Sequence, residues 1–343
     1  MEIEKGKVRA PEIGATWLNS EPIELRSLRG RVVLVDFWDY TCVNCLRTLP
    51  YLVKWHKRYA EKGLTIIGVH TPEFSFAANE KFVRAAVERF GIHYPIVLDN
   101  GYAIWHAYAN RYWPAKYLID GNGYIRFFHF GEGDYGASEE AIQTLLLEIN
   151  PRAEFPPPMA PVRDTDKPGA VCYRTTPELY LGHKRGKLGN PSGFLHENEN
   201  RAGDYKLPDQ VNADTVYLSG PWVSRDESAR SAPTPESPAS VILYYTGKEA
   251  NLVMAPEGEP QILELLHEGN PLADDEMGAD VVRDDAGRTI IHVDSPRMYN
   301  LVRNPGMKQR LLQLISRHTG LECYAFTFTT CMAQDDPPWW RTT

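Results

Sequence analysis

No stretch of this 343-residue sequence stays apolar for the ~18 residues that a bilayer span requires. Its start, MEIEKGKVRAPEIGATW, also lacks the apolar core of a secretory signal. Basic clusters are missing too. With 37 Lys and Arg against 45 Asp and Glu the formal charge is -8, which argues against a nucleic-acid partner. Cysteine is scarce and odd in number, five in all, too few for a disulfide-stapled scaffold. Beyond one C-x-x-C there is no second pair of Cys or His at metal-ligand spacing, so no metal and no cofactor is expected. Met1 placed directly ahead of a folded domain leads to the expectation of a cytosolic protein.

What is present is ordinary globular material, 43% apolar and 24% charged, in a length that suggests two domains. In the first 150 residues, RVVLVDFW, LTIIGVH, YPIVLD, AKYLID and YIRFFHF read as buried strands. Between them Leu46, Leu49, Leu52, Val53 and His56, and later Phe82, Val83, Ala86, Val87 and Phe90, recur at helical spacing. This alternation implies an α/β domain with a largely parallel sheet. Ser138 before Glu139 and Glu140 reads as the cap of a closing helix. Residues 151–169 carry six prolines and read as an extended connector. Residues 170–332 read as all-β: DTVYLSGPWV, SVILYYT, ANLVMAP, PQILELL, TIIHVD, RMYNLVR and ECYAFTFTT are short strands between turns. KQRLLQLIS fits either a strand or a helical turn, SRDESARSAPTPESPAS reads as a long mobile loop, and residues 333–343 form a tail carrying Trp339 and Trp340.

The chemistry concentrates in VDFWDYTCVNCLRTLPYL, where C-x-x-C follows a buried strand and opens a helix. A thiol at a helix N-terminus faces unpaired N–H groups and the positive dipole end, which favour thiolate and lower its pKa. Cys42 is then the attacking sulfur, and Cys45, one turn on, resolves the mixed disulfide. Half of a zinc site is the structural alternative. Arg47 is either a thiolate-stabilising cation or an exposed helical side chain, and His70 either a proton carrier or a structural histidine. Trp38 and Tyr40 are candidates for an apolar, substrate-contacting rim, with Trp38 equally placed to be core.

At this motif the first 150 residues resemble the thioredoxin superfamily, in its TlpA/ResA-like branch. That resemblance implies a thioredoxin-like fold, a central mixed sheet with flanking helices. It makes Asp36, six residues before Cys42, the buried acid under the site, and Pro50 the helix-kinking proline. It also makes Pro114 of RYWPAKYLID the cis-proline and puts Trp113 beside the redox pair as a substrate contact. Glu73 of GVHTPEF takes the place of that branch's inserted glutamate, so Asp36 and Glu73 are two candidate acids for the Cys45 proton. Asp36 as a hydrogen-bonded structural acid and Glu73 as a neighbour of the next helix cap are the alternatives.

The wording FWDYTCVNCLRTLPYL, GVHTPEFSF, TPELYLG and YAFTF is similar to the redox module of DipZ-type membrane thiol:disulfide carriers. In that family the module is followed by a jelly-roll domain resembling carbohydrate-binding modules. The carriers' membrane part is absent from this sequence, and the family resemblance favours a periplasmic setting.

Tyr205, Tyr217, Trp222, Tyr244, Tyr245 and Tyr324 are the aromatics available for sugar binding, though most read as core. Tyr324, Phe326 and Phe328 alternate as on a half-buried strand, and Cys323 and Cys331 read as buried thiols, with a bridge to Cys172 as the alternative. The expected activity is dithiol-disulfide exchange on protein thiols and disulfides, as a reductant fed by an electron-donating partner, because Val43 and Asn44 add no charge between the cysteines. A thiol peroxidase is disfavoured, since Asp39 and Val35 stand where that chemistry keeps Thr and Pro. A third reading makes the chain a glycan- or partner-binding module with an auxiliary redox pair.

Overall fold

Alternation along the first long strand decides how the first unit is built. In β2 (Val32–Trp38) every residue is buried, so both faces of the strand must be covered. Val33, Val35 and Phe37 enter one hydrophobic cluster and Val32, Leu34 and Trp38 another, as a strand with helices on both sides demands. A computed structural model describes residues 6–168 and 170–332, which divide into two units at Arg163 and Asp164.

The six-stranded sheet of the first unit adds β1 (Thr16–Leu18), β3 (Leu64–His70), β4 (Ile96–Leu98), β5 (Ala115–Ile119) and β6 (Ile125–Phe130), in the order β1-β4-β3-β2-β5-β6. β2, β3 and β4 are parallel, whereas β1, β5 and β6 run antiparallel to their neighbours. The sheet is therefore mixed, and the largely parallel expectation is corrected at both edges. β1 is too short to show a period. β6 also departs from the buried strand read in YIRFFHF: it is an edge strand, and Phe128 and Phe130 are 59% and 42% exposed.

Helix α1 (Val43–Tyr59) buries Cys45, Leu49, Leu52, Trp55 and Tyr59 along one stripe and accommodates Pro50 in its interior. α2 (Glu80–Arg89) is capped by Asn79, whose side chain accepts from Lys81 N. A five-residue helix, α3 (Ala103–Ala107), covers the opposite face through Ile104 and Trp105. α4 (Tyr135–Ile149) starts earlier than the sequence suggests. Its N-cap is Asp134, and Ser138 lies buried inside the helix, because the Tyr135 ring stacks on Tyr51 at 3.6 Å and pulls the first turn onto α1. The described residues of the proline-rich stretch form no strand and one 3-10 turn, Asp164–Asp166, and its first part lies against this unit. Phe155, Met159 and Val162 pack on the core, Met159 N donates to Glu139 at 2.7 Å, and Val162 N donates to the Tyr51 hydroxyl at 2.7 Å.

The second unit is antiparallel β throughout its named sheets. In chain order it contains β7 (Val171–Cys172), β8 (Leu179–Tyr180), β9 (Gly203–Tyr205), β10 (Thr215–Ser224), β11 (Ala229–Ser231), β12 (Ala239–Pro256), β13 (Gln261–His267), β14 (Val281–Arg283), β15 (Thr289–Val293), β16 (Arg297–Ser316), β17 (Leu321–Thr329) and β18 (Cys331–Met332). The separate strands SVILYYT and ANLVMAP are one strand, β12, and RMYNLVR and KQRLLQLIS are one strand, β16. The turn signal at Gly247 lies where the β12–β16 ladder shifts register: between the pairs Gly247–Lys308 and Glu249–Arg303, β12 passes one residue and β16 four, an irregularity inside two long strands. The stretch expected as a mobile loop contains β11, paired to β10 and β17. β17 is not a half-buried strand: it pairs with β8, β11 and β12, and from Cys323 to Thr329 both faces are buried. Tyr205, Tyr217, Trp222, Tyr245 and Tyr324 are core, and Tyr244 is half-buried. Trp339 and Trp340 lie outside the described residues.

Candidate functional site

The chain turns from β2 into α1 at Asp39–Cys42, and Cys42 is the N-cap of α1. Its Sγ accepts from Cys45 N at 3.2 Å, the bond that a capping oxygen makes elsewhere. Cys42 is partly exposed and Cys45 buried, both as free thiols. This geometry suits an exposed attacker and a shielded resolver. The direction of the Cys42 pKa differs from expectation, however. Burial pushes the thiol up, with the negative charges of Glu73 and Asp39 adding to it, against the lowering donation from Cys45. Burial holds the Cys45 thiol well up as well.

Asp36 lies on the same face of β2 as Val32, Leu34 and Trp38, the face covered by α1. Directly opposite it in the β2–β5 ladder stands Lys116. Both are 1% exposed, and among the described residues neither carboxylate oxygen of Asp36 nor Nζ of Lys116 has a hydrogen-bond partner. Burial raises the Asp36 carboxyl to about 7, with Lys116 pulling the other way. Burial also lowers the Lys116 ammonium, which the charges of Asp36, Cys45 and Glu132 partly restore. Both charges reach Cys45. Asp36 is thus not a hydrogen-bonded structural acid. Its neighbour in β3 is Gly68, which leaves room for the side chains on this face: a Cβ there would come within 2.5 Å of Ile96 and 3.1 Å of the Trp38 indole nitrogen.

Asp39 forms a second buried centre. It is 0% exposed, and Oδ1 accepts from Thr41 N at 2.7 Å and from the Thr41 hydroxyl at 2.9 Å, while Oδ2 accepts from Glu73 N at 2.5 Å. One carboxylate therefore ties the turn ahead of Cys42 to the segment bearing Glu73. Glu73 is half-buried, and its charge acts on Cys42, whereas the acid acting on Cys45 is Asp36. It directly precedes Phe74, the N-cap of a 3-10 turn over Ser75–Ala78, and so does neighbour a helix cap, while α2 is capped by Asn79. His70 is buried between Trp38 and the stacked Tyr40 ring, with Nε2 4.0 Å from Asp39, and burial lowers its pKa. Asp39→Ala strands two buried backbone N–H groups and is expected to destabilise the protein by about 3 kcal/mol, read by urea unfolding at pH 7. A change below a few tenths would mean that Asp39 does not hold this turn together.

The Trp113–Pro114 bond is cis, Pro114 is buried and Trp113 half-buried, with its indole N–H donating to Thr71 O at 3.0 Å. The expected rim is corrected here. Trp38 is 0% and Tyr40 4% exposed, because both rings fill the core against His70, so neither offers surface to a substrate. The exposed aromatic beside Trp113 is Tyr112, 54% exposed, whose ring meets Phe130 at 5.2 Å. Arg47 is not an exposed helical side chain: its Nε donates to Glu132 at 2.5 Å. Lys116 was missed, although a lysine inside the apolar run AKYLI was itself a signal. Among the described residues no group of three or more His, Cys, Asp or Glu is placed to hold a metal ion.

Comparison with known proteins gives this chain its relatives. The AhpC/TSA family matches residues 7–128, and a "Thioredoxin like C-terminal domain" family matches residues 176–329. "Protein DipZ" of Mycobacterium tuberculosis is 39% identical over 267 residues, 76% of this chain and 37% of that protein. The chain thus spans little more than a third of that relative. "Thiol-disulfide oxidoreductase ResA" of Halalkalibacterium halodurans is 35% identical over 136 residues, 40% of this chain and 72% of that protein. A solved thiol-disulfide isomerase of Corynebacterium glutamicum is 26% identical, covering 40% of this chain and 96% of its own, with a TM-score of 0.37.

Proposed function

This chain belongs to the thioredoxin-like AhpC/TSA family, with ResA and DipZ among its relatives, and from that membership we propose that it is a thiol-disulfide oxidoreductase that reduces protein disulfides through Cys42 and Cys45. The observation that carries the reading is the partly exposed Cys42 at the N-cap of α1, one turn from a buried Cys45 that the Asp36 and Lys116 charges reach.

The steps follow from the placement. Cys42 thiolate attacks a substrate disulfide sulfur, the substrate's other sulfur leaves, and a mixed disulfide forms. Cys45 then loses its proton, with Asp36 as the acceptor whose pKa of about 7 suits the task, and attacks Cys42 Sγ. The second substrate thiol departs and the Cys42–Cys45 disulfide remains. Regeneration requires an electron-donating dithiol partner. Strong oxidants of this class owe their potential to a stabilised thiolate, and here burial and the charges of Glu73 and Asp39 disfavour it, which supports a reductant. Trp113 and Pro114 are assigned to the substrate-contacting edge. A peroxidase is disfavoured because Asp39 is committed to Thr41 and Glu73.

We propose that the second unit is a jelly-roll resembling carbohydrate-binding modules, a proposal supported by its antiparallel sheet with two long strands, β12 and β16. Glycan or protein contact through it would be read by a glycan array on the full chain. No helix among the described residues is long and apolar enough to cross a membrane.

The test is a titration in glutathione buffers of graded potential, with Cys42 and Cys45 followed by mass-resolved alkylation. One two-electron transition confined to this pair, with a midpoint below that of glutathione, is the expected result. A pair that stays unreactive, or a midpoint as high as the strong periplasmic oxidants, would overturn the reductant reading.

A further inference from the structure

The remaining three cysteines divide between a buried thiol, as the sequence suggests, and a disulfide that the sequence offers only as the alternative. Cys323 is a fully buried free thiol within the core of the second unit. Cys331 is not a buried thiol: it is bonded to Cys172, 159 positions away in sequence. β17, which carries Cys323, ends at Thr329, and Cys331 begins β18, which pairs with β7 so that Cys172 and Cys331 stand opposite.

Three features set this bond apart from a structural staple. Cys172 is exposed and Cys331 partly so, with Val171 beside them 49% exposed, so an incoming thiolate can reach the sulfurs. β7 and β18 form a sheet of their own, two residues on each side, outside the ten-stranded sheet. Neither cysteine belongs to the hydrophobic cluster that holds the second unit together, whose only cysteine is Cys323. No ladder of the large sheet runs through either cysteine. Exposed disulfides are the exchangeable ones, whereas buried ones resist reduction.

We infer that Cys172–Cys331 is a second redox site, a disulfide that accepts two electrons from a vicinal dithiol and cycles while the β unit stays folded. A donor thiolate attacks Sγ of Cys172, the more exposed of the two residues, the S–S bond breaks, and Cys331 leaves as thiolate and takes a proton. The donor's second thiol, deprotonated, attacks its own partner in the mixed disulfide and releases Cys172, which is protonated in turn. The donor ends as a disulfide, having given two electrons. Cys42 and Cys45 are a dithiol of this class, carried on the same chain. The inference goes beyond the activity proposed above and does not depend on it.

The experiment uses the full chain carrying Cys42→Ser and Cys45→Ser, so that the first site is silent, in buffers of graded dithiothreitol ratio. Alkylation at Cys172 and Cys331 is read by mass, with circular dichroism recorded on the same samples. The expected result is reversible reduction in which a tenfold change in the dithiol/disulfide ratio moves the reduced/oxidised ratio of the pair about tenfold, with the β signal unchanged. A pair that stays oxidised until the chain unfolds, or whose reduction coincides with loss of the β signal, overturns it. In a second arm, reduced chain carrying Cys172→Ser and Cys331→Ser is the donor, with insulin reduction as its control. Transfer to the silent-site chain supports the inference. A donor that reduces neither marks failure of the Cys42–Cys45 activity instead, and the dithiothreitol arm then decides alone.

Discussion

Cys42→Ser is expected to reduce insulin no faster than the uncatalysed background, a loss of about 10^3-fold or more, because serine supplies no thiolate at neutral pH. Cys45→Ser should behave differently. It retains the attacker and lacks the resolver, so mixed disulfides with substrate accumulate and appear on non-reducing gels. If the two variants were equally active, or if neither trapped substrate, the division of labour read from the half-exposed Cys42 and buried Cys45 would be wrong. The pH dependence follows from the same burial. The Cys42 pKa is raised, so at neutral pH only a small fraction is thiolate, and the rate of the first step should climb about tenfold per pH unit until that pKa is passed. A rate that is flat from pH 6 to 9 in stopped-flow measurements would mean a thiol already ionised there.

The Cys42–Cys45 arrangement was legible in the sequence because its signal is local: a buried strand, C-x-x-C and a helix stripe lie within a few turns of each other. Asp36 was legible only through resemblance, since its role depends on which face of β2 looks toward α1. Strand parity explains the rest. Lys116 is brought opposite Asp36 by the antiparallel β2–β5 register, a non-local pairing that no window of sequence contains. Asp39 is hidden for the same reason, its partner Glu73 being supplied from the far end of β3. In the second unit the strand content was readable and the strand lengths were not. Gly247 looks like a turn locally, yet in place it marks a register shift inside β12. The Cys172–Cys331 bond stood only as an alternative because a pairing across 159 positions has no local signal: β17 stops at Thr329 and the chain starts a new pairing at Cys331.

Asp36→Asn should stabilise the protein at alkaline pH while slowing release of substrate. The buried carboxyl titrates near 7 in the folded chain against 3.8 for the free side chain. Between those values the folded state binds more protons than the unfolded one, so stability falls as pH rises from about 4 to about 7 and stays low above. At 1.36 kcal/mol per pKa unit the full cost is about 4 kcal/mol. Asparagine cannot ionise, so the gain should be absent below pH 4 and reach its maximum above pH 7, reduced to the extent that Lys116 loses its counter-charge. Lys116→Met is the companion variant. Lys116 pulls the Asp36 pKa down, so its removal should move the pH-dependent loss of stability to higher pH. Urea unfolding from pH 4 to 9 reads both effects, and parallel curves for Asp36→Asn and the parent chain would remove Asp36 from the titrating site. The kinetic arm separates proton transfer from mere stability. In the Asp36→Asn chain the Cys45 proton loses its buried acceptor, so the mixed disulfide should form at the parental rate and decay more slowly, a split that a purely structural role would not produce.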